Sequence, residues 1–316
     1  MKTILVTGGS GLVGSAINNI INNSIYNNEY NFIFLSSKNC NLLNYDETFQ
    51  YFNNIKPSYV IHLAAQVGGL FKNMNHKVDM FIDNITINNN VLKVCHEIKV
   101  EKLVSCLSTC IFPDNTTYPI NESMLHLGPP HSSNDAYAYA KRMLDVLSTS
   151  YRQQYNDNFI CIIPTNIYGP HDNFNLEDSH VIPGLIHKCY LAKQNNQPFI
   201  VAGSGSPLRQ FIYADDLAKL ILWSLFDYHD LDTIILSPSE SSEVSIKFIA
   251  EEIAKSMDYN NIIFDSNKSD GQYKKTADNS KLMNLINDFE FTDISYGIKK
   301  TVEWFIENNH SPFIRI

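Results

Sequence analysis

The 316-residue sequence predicts an α/β fold, a doubly wound parallel sheet with a smaller, discontinuous C-terminal α/β lobe. Three observations predict it. Short β-branched or aromatic runs alternate with segments of helical spacing, a glycine-rich turn follows the first run, and prolines punctuate the chain after about Pro164.

The runs at 2–7, 32–35, 59–63, 103–107 and 159–163 read as strands. Between them, Ile17, Ile20 and Ile21 follow the first strand, and Val91, Leu92, Cys95 and Ile98 precede the fourth, both at helical spacing. Strands that are apolar throughout need cover on both faces, which helices between parallel strands provide. Beyond Pro164, residues Pro170, Pro183, Pro198 and Pro207 mark loops and short helices of a lobe that closes over a site. The stretch 211–225 reads as a helix and 233–236 as a strand, and the two rejoin the sheet. Helices near 246–257 and 296–307 complete the lobe. Residues 1–170, rejoined by 210–240, therefore form the sheet domain, and 171–209 with 241–316 the lobe. No fixed-period repeat is present.

Hydrophobic residues make up 44% and charged residues 18%, which allows a buried core and excludes wholesale disorder. Lysine and arginine total 24 against 33 acidic residues, a formal charge of −9. That balance argues against general nucleic-acid binding and against docking on anionic membranes. No apolar run approaches the roughly 18 residues needed to cross a bilayer. The asparagine runs, such as Asn88-Asn89-Asn90, are short and read as solvated surface. Six cysteines without a CxxC pair read as thiols in a reducing compartment, and no residues are assigned to a metal. The sequons at Asn84, Asn115 and Asn121 lack an export signal, so the expectation is a soluble cytoplasmic protein.

Thr7-Gly8-Gly9-Ser10-Gly11-Leu12-Val13-Gly14 joins the first strand to a helix, with Gly8, Gly11 and Gly14 as GxxGxxG. The first glycine permits the tight turn, the second lets backbone approach a pyrophosphate, and the third allows close packing of the helix. On the first strand–helix turn this pattern is a strong Rossmann signal. The second strand ends Leu35-Ser36-Ser37-Lys38, without the acid that usually holds a ribose 2′-hydroxyl. An ammonium beside two hydroxyls suits a 2′-phosphate and so NADP, and an ordinary exposed lysine is the plain alternative for Lys38.

Tyr137-Ala138-Tyr139-Ala140-Lys141 places Tyr137 and Lys141 on one helix face. The ammonium is expected to lower the phenol's pKa, so that tyrosine exchanges a proton with a carbonyl oxygen near neutrality. Ser108, at the carboxyl end of the fourth strand, can bond the same oxygen. A lone YxxxK is often mere surface, and its meaning comes from the glycine turn and Ser108.

With His62-Leu63-Ala64-Ala65 after the third strand, these residues resemble the extended short-chain dehydrogenase/reductases over nearly the whole chain. Longer blocks narrow the resemblance. Ser108-Thr109-Cys110-Ile111-Phe112-Pro113, Pro164-Thr165-Asn166-Ile167-Tyr168-Gly169-Pro170-His171-Asp172-Asn173-Phe174 and Ser179-His180-Val181-Ile182-Pro183 look like the GDP-L-fucose synthase family. So do Gly203-Ser204-Gly205-Ser206-Pro207-Leu208-Arg209-Gln210-Phe211 and Ser269-Asp270-Gly271-Gln272-Tyr273-Lys274-Lys275. That family comprises NADPH-dependent 3,5-epimerase-4-reductases acting on GDP-4-keto-6-deoxy-D-mannose, and the resemblance implies a homodimer with its seam near 80–97 and 138–151.

The resemblance implies Cys110 as base and His180 as acid at C3 and C5, with Tyr137 donating the proton at C4, Ser108 polarising the oxygen and Lys141 holding the ribose. Cysteine and histidine both titrate near neutrality and suit the first pair. Taken singly, Cys110 reads as a core thiol and His180 as a loop residue. The resemblance implies NADP(H) against Gly8, Ser10, Gly11, Leu12, Val13, Gly14, Ser37, Lys38, Leu63, Ala64, Ala65, Lys141, Pro164, Asn166, Ile167 and His180. It implies substrate contacts from Lys188, Arg209 and Asp278. Arginine occurs only as Arg142, Arg152, Arg209 and Arg315, and Arg209 is the expected phosphate fork. Asp278 reads equally as a helix cap. Two positions depart from the family: Lys188 where arginine is common, and Ala202 where tryptophan is.

Two other readings share the fold. A nucleotide-sugar 4-epimerase or 4-reductase would usually lack Cys110 and carry an acid after the second strand. A non-catalytic NADP-sensing protein would generally lack the Tyr137–Lys141 pair.

Overall fold

The computed structural model describes residues 1–22, 24–268, 273–311 and 314–316. The first half alternates as expected: β1 (Lys2–Thr7), α1 (Leu12–Asn22), α2 (Tyr26–Glu29), β2 (Tyr30–Leu35), α3 (Tyr45–Ile55), β3 (Tyr59–His62), α4 (Leu70–Asn75), α5 (Lys77–Glu97), β4 (Lys102–Cys106), α6 (Asp135–Tyr155) and β5 (Phe159–Pro164). The second half runs β6 (Asn166–Tyr168), α7 (Val181–Gln194), β7 (Phe199–Ala202), β8 (Leu208–Arg209), β9 (Phe211–Tyr213), α8 (Ala214–Phe226), β10 (Ile234–Leu236), β11 (Val244–Ser245), α9 (Ile246–Ser256), β12 (Ile262–Asp265), α10 (Ser280–Leu285) and α11 (Ile294–Asn308).

Six parallel strands form the main sheet in the order β10-β5-β4-β3-β1-β2. Its strands are apolar on both sides because each side has its own core. Leu5, Val60, Leu103, Cys161 and Ile235 pack toward α3, α5 and α6, through residues such as Phe52, Val91 and Leu144. Ile4, Val6, Ile61, Val104, Ile162 and Leu236 point the other way, toward Ile17 of α1 and Leu217 and Ile221 of α8. The chain leaves β1 outward to β2 and then returns to β3 on the opposite side of β1. That reversal opens a crevice at the carboxyl ends of β1 and β3.

A third core lies outside the sheet, where Ile182, Leu185 and Ile186 of α7 meet Phe199 and Val201 of β7, Ile249 and Ile253 of α9, and Val302 and Phe305 of α11. Parallel pairs β7·β12 and β6·β9 and the antiparallel pair β8·β11 brace this region.

Three expectations are corrected here. Asn88 and Asn90 are not solvated surface: they are buried on α5, where Asn88 Oδ1 meets His62 Nε2 and Asn90 Nδ2 donates to the Leu42 carbonyl. Residues 211–213 do not belong to the helix: Phe211, Ile212 and Tyr213 pair with Asn166, Ile167 and Tyr168 as β9, and the helix begins at Ala214. Three buried apolar residues directly before an apolar helix carry no break in pattern. Pro183, expected to mark a loop or short helix, lies in the first turn of the 14-residue α7, where its missing N–H leaves no hydrogen bond unmade.

Candidate active site

Gly8 sits at the end of β1 with φ +69°, and a Cβ there would lie 2.8 Å from the Ala64 amide nitrogen. At Gly14 a Cβ would lie 2.5 Å from the Gly9 carbonyl oxygen. The turn and the first turn of α1 are therefore nested against backbone that leaves no room for side chains, and the helix N-terminus faces the crevice. One buried hydrogen-bond chain fixes the opposing loop. The Ala64 amide donates to Thr7 Oγ1 (3.2 Å), and that hydroxyl lies 2.8 Å from His62 Nδ1. His62 Nε2 lies 3.1 Å from Asn88 Oδ1. A neutral ring that accepts at Nδ1 and donates at Nε2 satisfies all three contacts. Burial, aided by the Lys141 charge and opposed by the Asn88 bond, lowers the His62 pKa to about 3.

The crevice is a cavity of about 710 Å³. It is lined by Gly8, Ser10, Gly11, Leu12, Val13, Gly14, Ser37, Leu63, Ala64, Ala65, Ser108, Tyr137, Lys141, Pro164, Asn166, Ile167 and His180. Asn73, Thr165 and Asp172 line it too, and Asn73 Oδ1, Thr165 Oγ1 and Asp172 Oδ2 are buried polar atoms without a partner among the described residues. Orphaned buried atoms are costly, and a polar ligand could satisfy them. With the side-chain-free cradle at Gly8 and Gly14, they fit a dinucleotide.

Each chemical group is set by its element. Ser108 follows β4 and opens a 3₁₀ turn, Thr109–Ile111, with the Cys110 amide 3.5 Å from Ser108 Oγ. Tyr137 and Lys141 lie one turn apart on α6. Lys141 Nζ donates to the Cys106 carbonyl (2.8 Å) and stands 6.0 Å from the Tyr137 ring centroid. Burial lowers the Lys141 pKa, against the pull of Cys106, Cys110 and Cys161. The expected lowering of the Tyr137 pKa is not found. Burial, followed by Cys110 and Cys106, raises that phenol well above its ordinary value. The Lys141 ammonium is engaged by a carbonyl and does not offset the desolvation, so Tyr137 holds its proton. His180 is exposed and immediately precedes α7.

The profile of the NAD dependent epimerase/dehydratase family matches residues 4–233. A GDP-L-fucose synthase from Dictyostelium discoideum is 54% identical over 308 residues, covering 97% of this chain and 96% of that protein. A probable GDP-L-fucose synthase from Drosophila melanogaster is 49% identical, covering 98% of each. Among solved structures, a GDP-L-fucose synthetase from Naegleria fowleri bound to NADP superposes with a TM-score of 0.93 at 46% identity, covering 100% of this chain and 96% of that one. The chain belongs to the NAD dependent epimerase/dehydratase family.

In this epimerase/dehydratase the remaining site residues named from sequence lie outside the large cavity. Lys38 is exposed on the turn after β2, next to Ser37. Cys110 is buried, 7% exposed, and is an electrostatic neighbour of Tyr137 and Lys275. Lys188 is exposed and lines a second cavity of about 530 Å³ with Ala202, Asp265 and Lys268. Arg209 Nη1 donates to the carbonyls of Leu208 (2.7 Å) and Tyr273 (3.3 Å), and burial lowers its pKa. Asp278 accepts from the amide and hydroxyl of Ser280 at 2.8 and 2.6 Å, one residue ahead of the Asn279 N-cap of α10, and lines neither cavity. Of the block from Ser269 to Lys275, residues 269–272 lie outside the described residues.

Two charged residues, one near Cys110 and one lining the large cavity, were not singled out by sequence reasoning. Lys275 lies near Cys110 and Arg209. Burial lowers its pKa, Arg209 acts in the same direction, and Cys110 and Asp114 oppose it. Its signal was present, because it ends a recognised block. Asp172 is 5% exposed, and burial raises its carboxyl pKa against His180, the Asn173 amide and Arg315. It too stood inside a recognised block, but only the fold reveals that it is buried beside His180.

Proposed function

We propose that this chain converts GDP-4-keto-6-deoxy-D-mannose to GDP-L-fucose with NADPH, by epimerisation at C3 and C5 and then reduction at C4. The observation that carries the reading is the convergence of Ser108, Tyr137, Lys141 and His180 on one glycine-cradled cavity, with Cys110 one short turn beyond Ser108.

The roles follow from the chemistry. A C4 ketone acidifies the hydrogens on C3 and C5. Cys110 removes each proton, His180 returns one on the opposite face, and solvent resets both groups. Ser108 donates a hydrogen bond to the C4 oxygen. NADPH, when bound, supplies the hydride to C4. Tyr137, kept protonated by burial, passes its proton to the developing alkoxide, and Lys141 orients the ribose. The first turn of α1 faces the pyrophosphate, and Lys38 with Ser37 offers charge and hydroxyl to a 2′-phosphate. Arg209, Lys275 and Lys188 supply positive charge for the substrate diphosphate.

The cofactor unit comprises 1–170 and 210–240, and the substrate lobe 171–209 and 241–316. We place the enzyme in the cytoplasm. No helix among the described residues is long and apolar enough to cross a membrane. We further assign a homodimer through α5 and α6, supported by exposed Val78 and Ile82 on one helix and Tyr139, Met143 and Val146 on the other.

Incubation with GDP-4-keto-6-deoxymannose and NADPH in heavy water tests the reading. Deuterium is expected at C3 and C5 of a fucose product, and Cys110→Ser is expected to lose the label while still reducing the unepimerised ketone. Reduction without label would remove the epimerase assignment, and unchanged NADPH absorbance would remove the enzyme.

A further inference from the structure

Two adjacent residues of α6 grip the two ends of the segment that carries Ser108 and Cys110. Lys141 Nζ holds the Cys106 carbonyl ahead of it. Arg142 Nε donates to the Ile111 carbonyl behind it at 2.9 Å, and Nη2 donates to the same oxygen. Arg142 Nη1 reaches the Gly128 carbonyl at 2.8 Å, and the Asp114 amide donates to the Pro129 carbonyl at 2.9 Å, so the 128–129 loop is drawn into the same arrangement. Arg142 is 6% exposed. Its planar fork works largely out of water, where donation from a charged group is strong and strict in direction. Tyr137 lies five residues earlier on the same helix, so one rigid helix and one guanidinium relate the Cys110 turn to the phenol.

We infer that Arg142 is a positioning residue for epimerisation, holding the 109–111 turn so that the Cys110 thiol and the Tyr137 phenol address one sugar ring. The inference rests on the proposed function, in which Cys110 is the base. Reduction depends on Ser108, Tyr137 and Lys141, and the segment remains tied at Cys106 when the Arg142 bonds are removed. A displacement of about 1 Å costs a positioned group about 100-fold in rate, so the loss falls on proton abstraction first.

Arg142→Met and Arg142→Lys are compared with the unmodified enzyme. The readouts are C3/C5 deuterium incorporation from heavy water, the stereochemistry of the NADPH-reduced product, and NADPH affinity by fluorescence. Arg142→Met is expected to lose label about 100-fold, to keep NADPH affinity within about threefold, and to release mainly the unepimerised 6-deoxy sugar. Arg142→Lys, which keeps a single donor, is expected to fall between the two. Label within threefold of the unmodified enzyme in Arg142→Met overturns the inference, as does equal loss of label and reduction. If the methionine variant does not fold, Arg142→Lys decides: at least a tenfold loss of label at unchanged NADPH affinity supports the positioning role, and any smaller loss overturns it. Absence of label in the unmodified enzyme is a different failure, that of the functional reading itself.

Discussion

His62 is fully buried, and its pKa is lowered to about 3, against an ordinary value of 6.5. Between those values the unfolded chain binds a proton that the folded one refuses. The stability held by the neutral ring is therefore complete above about pH 6.5 and is lost as pH falls toward 3. We expect His62→Gln, which cannot charge, to flatten the acid loss by roughly 3 kcal/mol at about pH 4, taking about 1.4 kcal/mol per pH unit. Urea midpoints for both proteins at about pH 7 and about pH 4 measure it, and parallel losses would show that the ring is not the titrating group. At this scale the sequence was informative where chemistry recurs in motifs, as with Ser108, Tyr137 and Lys141. It was silent on Arg142, whose role depends on two carbonyls, of Ile111 and Gly128, that only the folded chain brings to it.

Among elements, the turn between β1 and α1 leaves no room for added volume. A Cβ at Gly14 meets backbone on the other side, Gly9 O at 2.5 Å and Gly9 Cα at 2.6 Å, so no rotamer change relieves it. Gly14→Ala is expected to weaken NADPH binding at least tenfold and to destabilise the fold by about 1–3 kcal/mol. Fluorescence titration and thermal melting together check this, and unaltered affinity would mean that the helix N-terminus does not face the cofactor. The strands of the main sheet were legible because burial on both faces demands continuous apolar runs. Phe199–Ala202 and Ile262–Asp265 were not read as strands although they carry the apolar runs Phe-Ile-Val-Ala and Ile-Ile-Phe, because runs this short do not by themselves separate a strand from a buried turn or helix end.

For the whole molecule, the surface of α5 and α6 carries the clearest expectation. Val78 and Ile82 are four residues apart, and Tyr139, Met143 and Val146 follow the same helical spacing, so each set forms one exposed stripe. Charges placed in both stripes, as Ile82→Glu with Met143→Glu, are expected to convert a dimer to monomers in light scattering. A monomeric parent protein, or a double variant that stays dimeric, would refute the assigned seam. The larger plan also has a consequence for synthesis. β5 pairs on one side with β4, but its other neighbour, β10, is encoded about seventy residues further on, beyond the whole α7 and β7 excursion. A ribosome adding roughly 5–20 residues per second takes several seconds to deliver it. Throughout that interval Phe159-Ile160-Cys161-Ile162-Ile163 stands as an open, uncharged sheet edge, so the nascent chain is most vulnerable to wrong partners after its cofactor cradle has been made and before its last strand arrives.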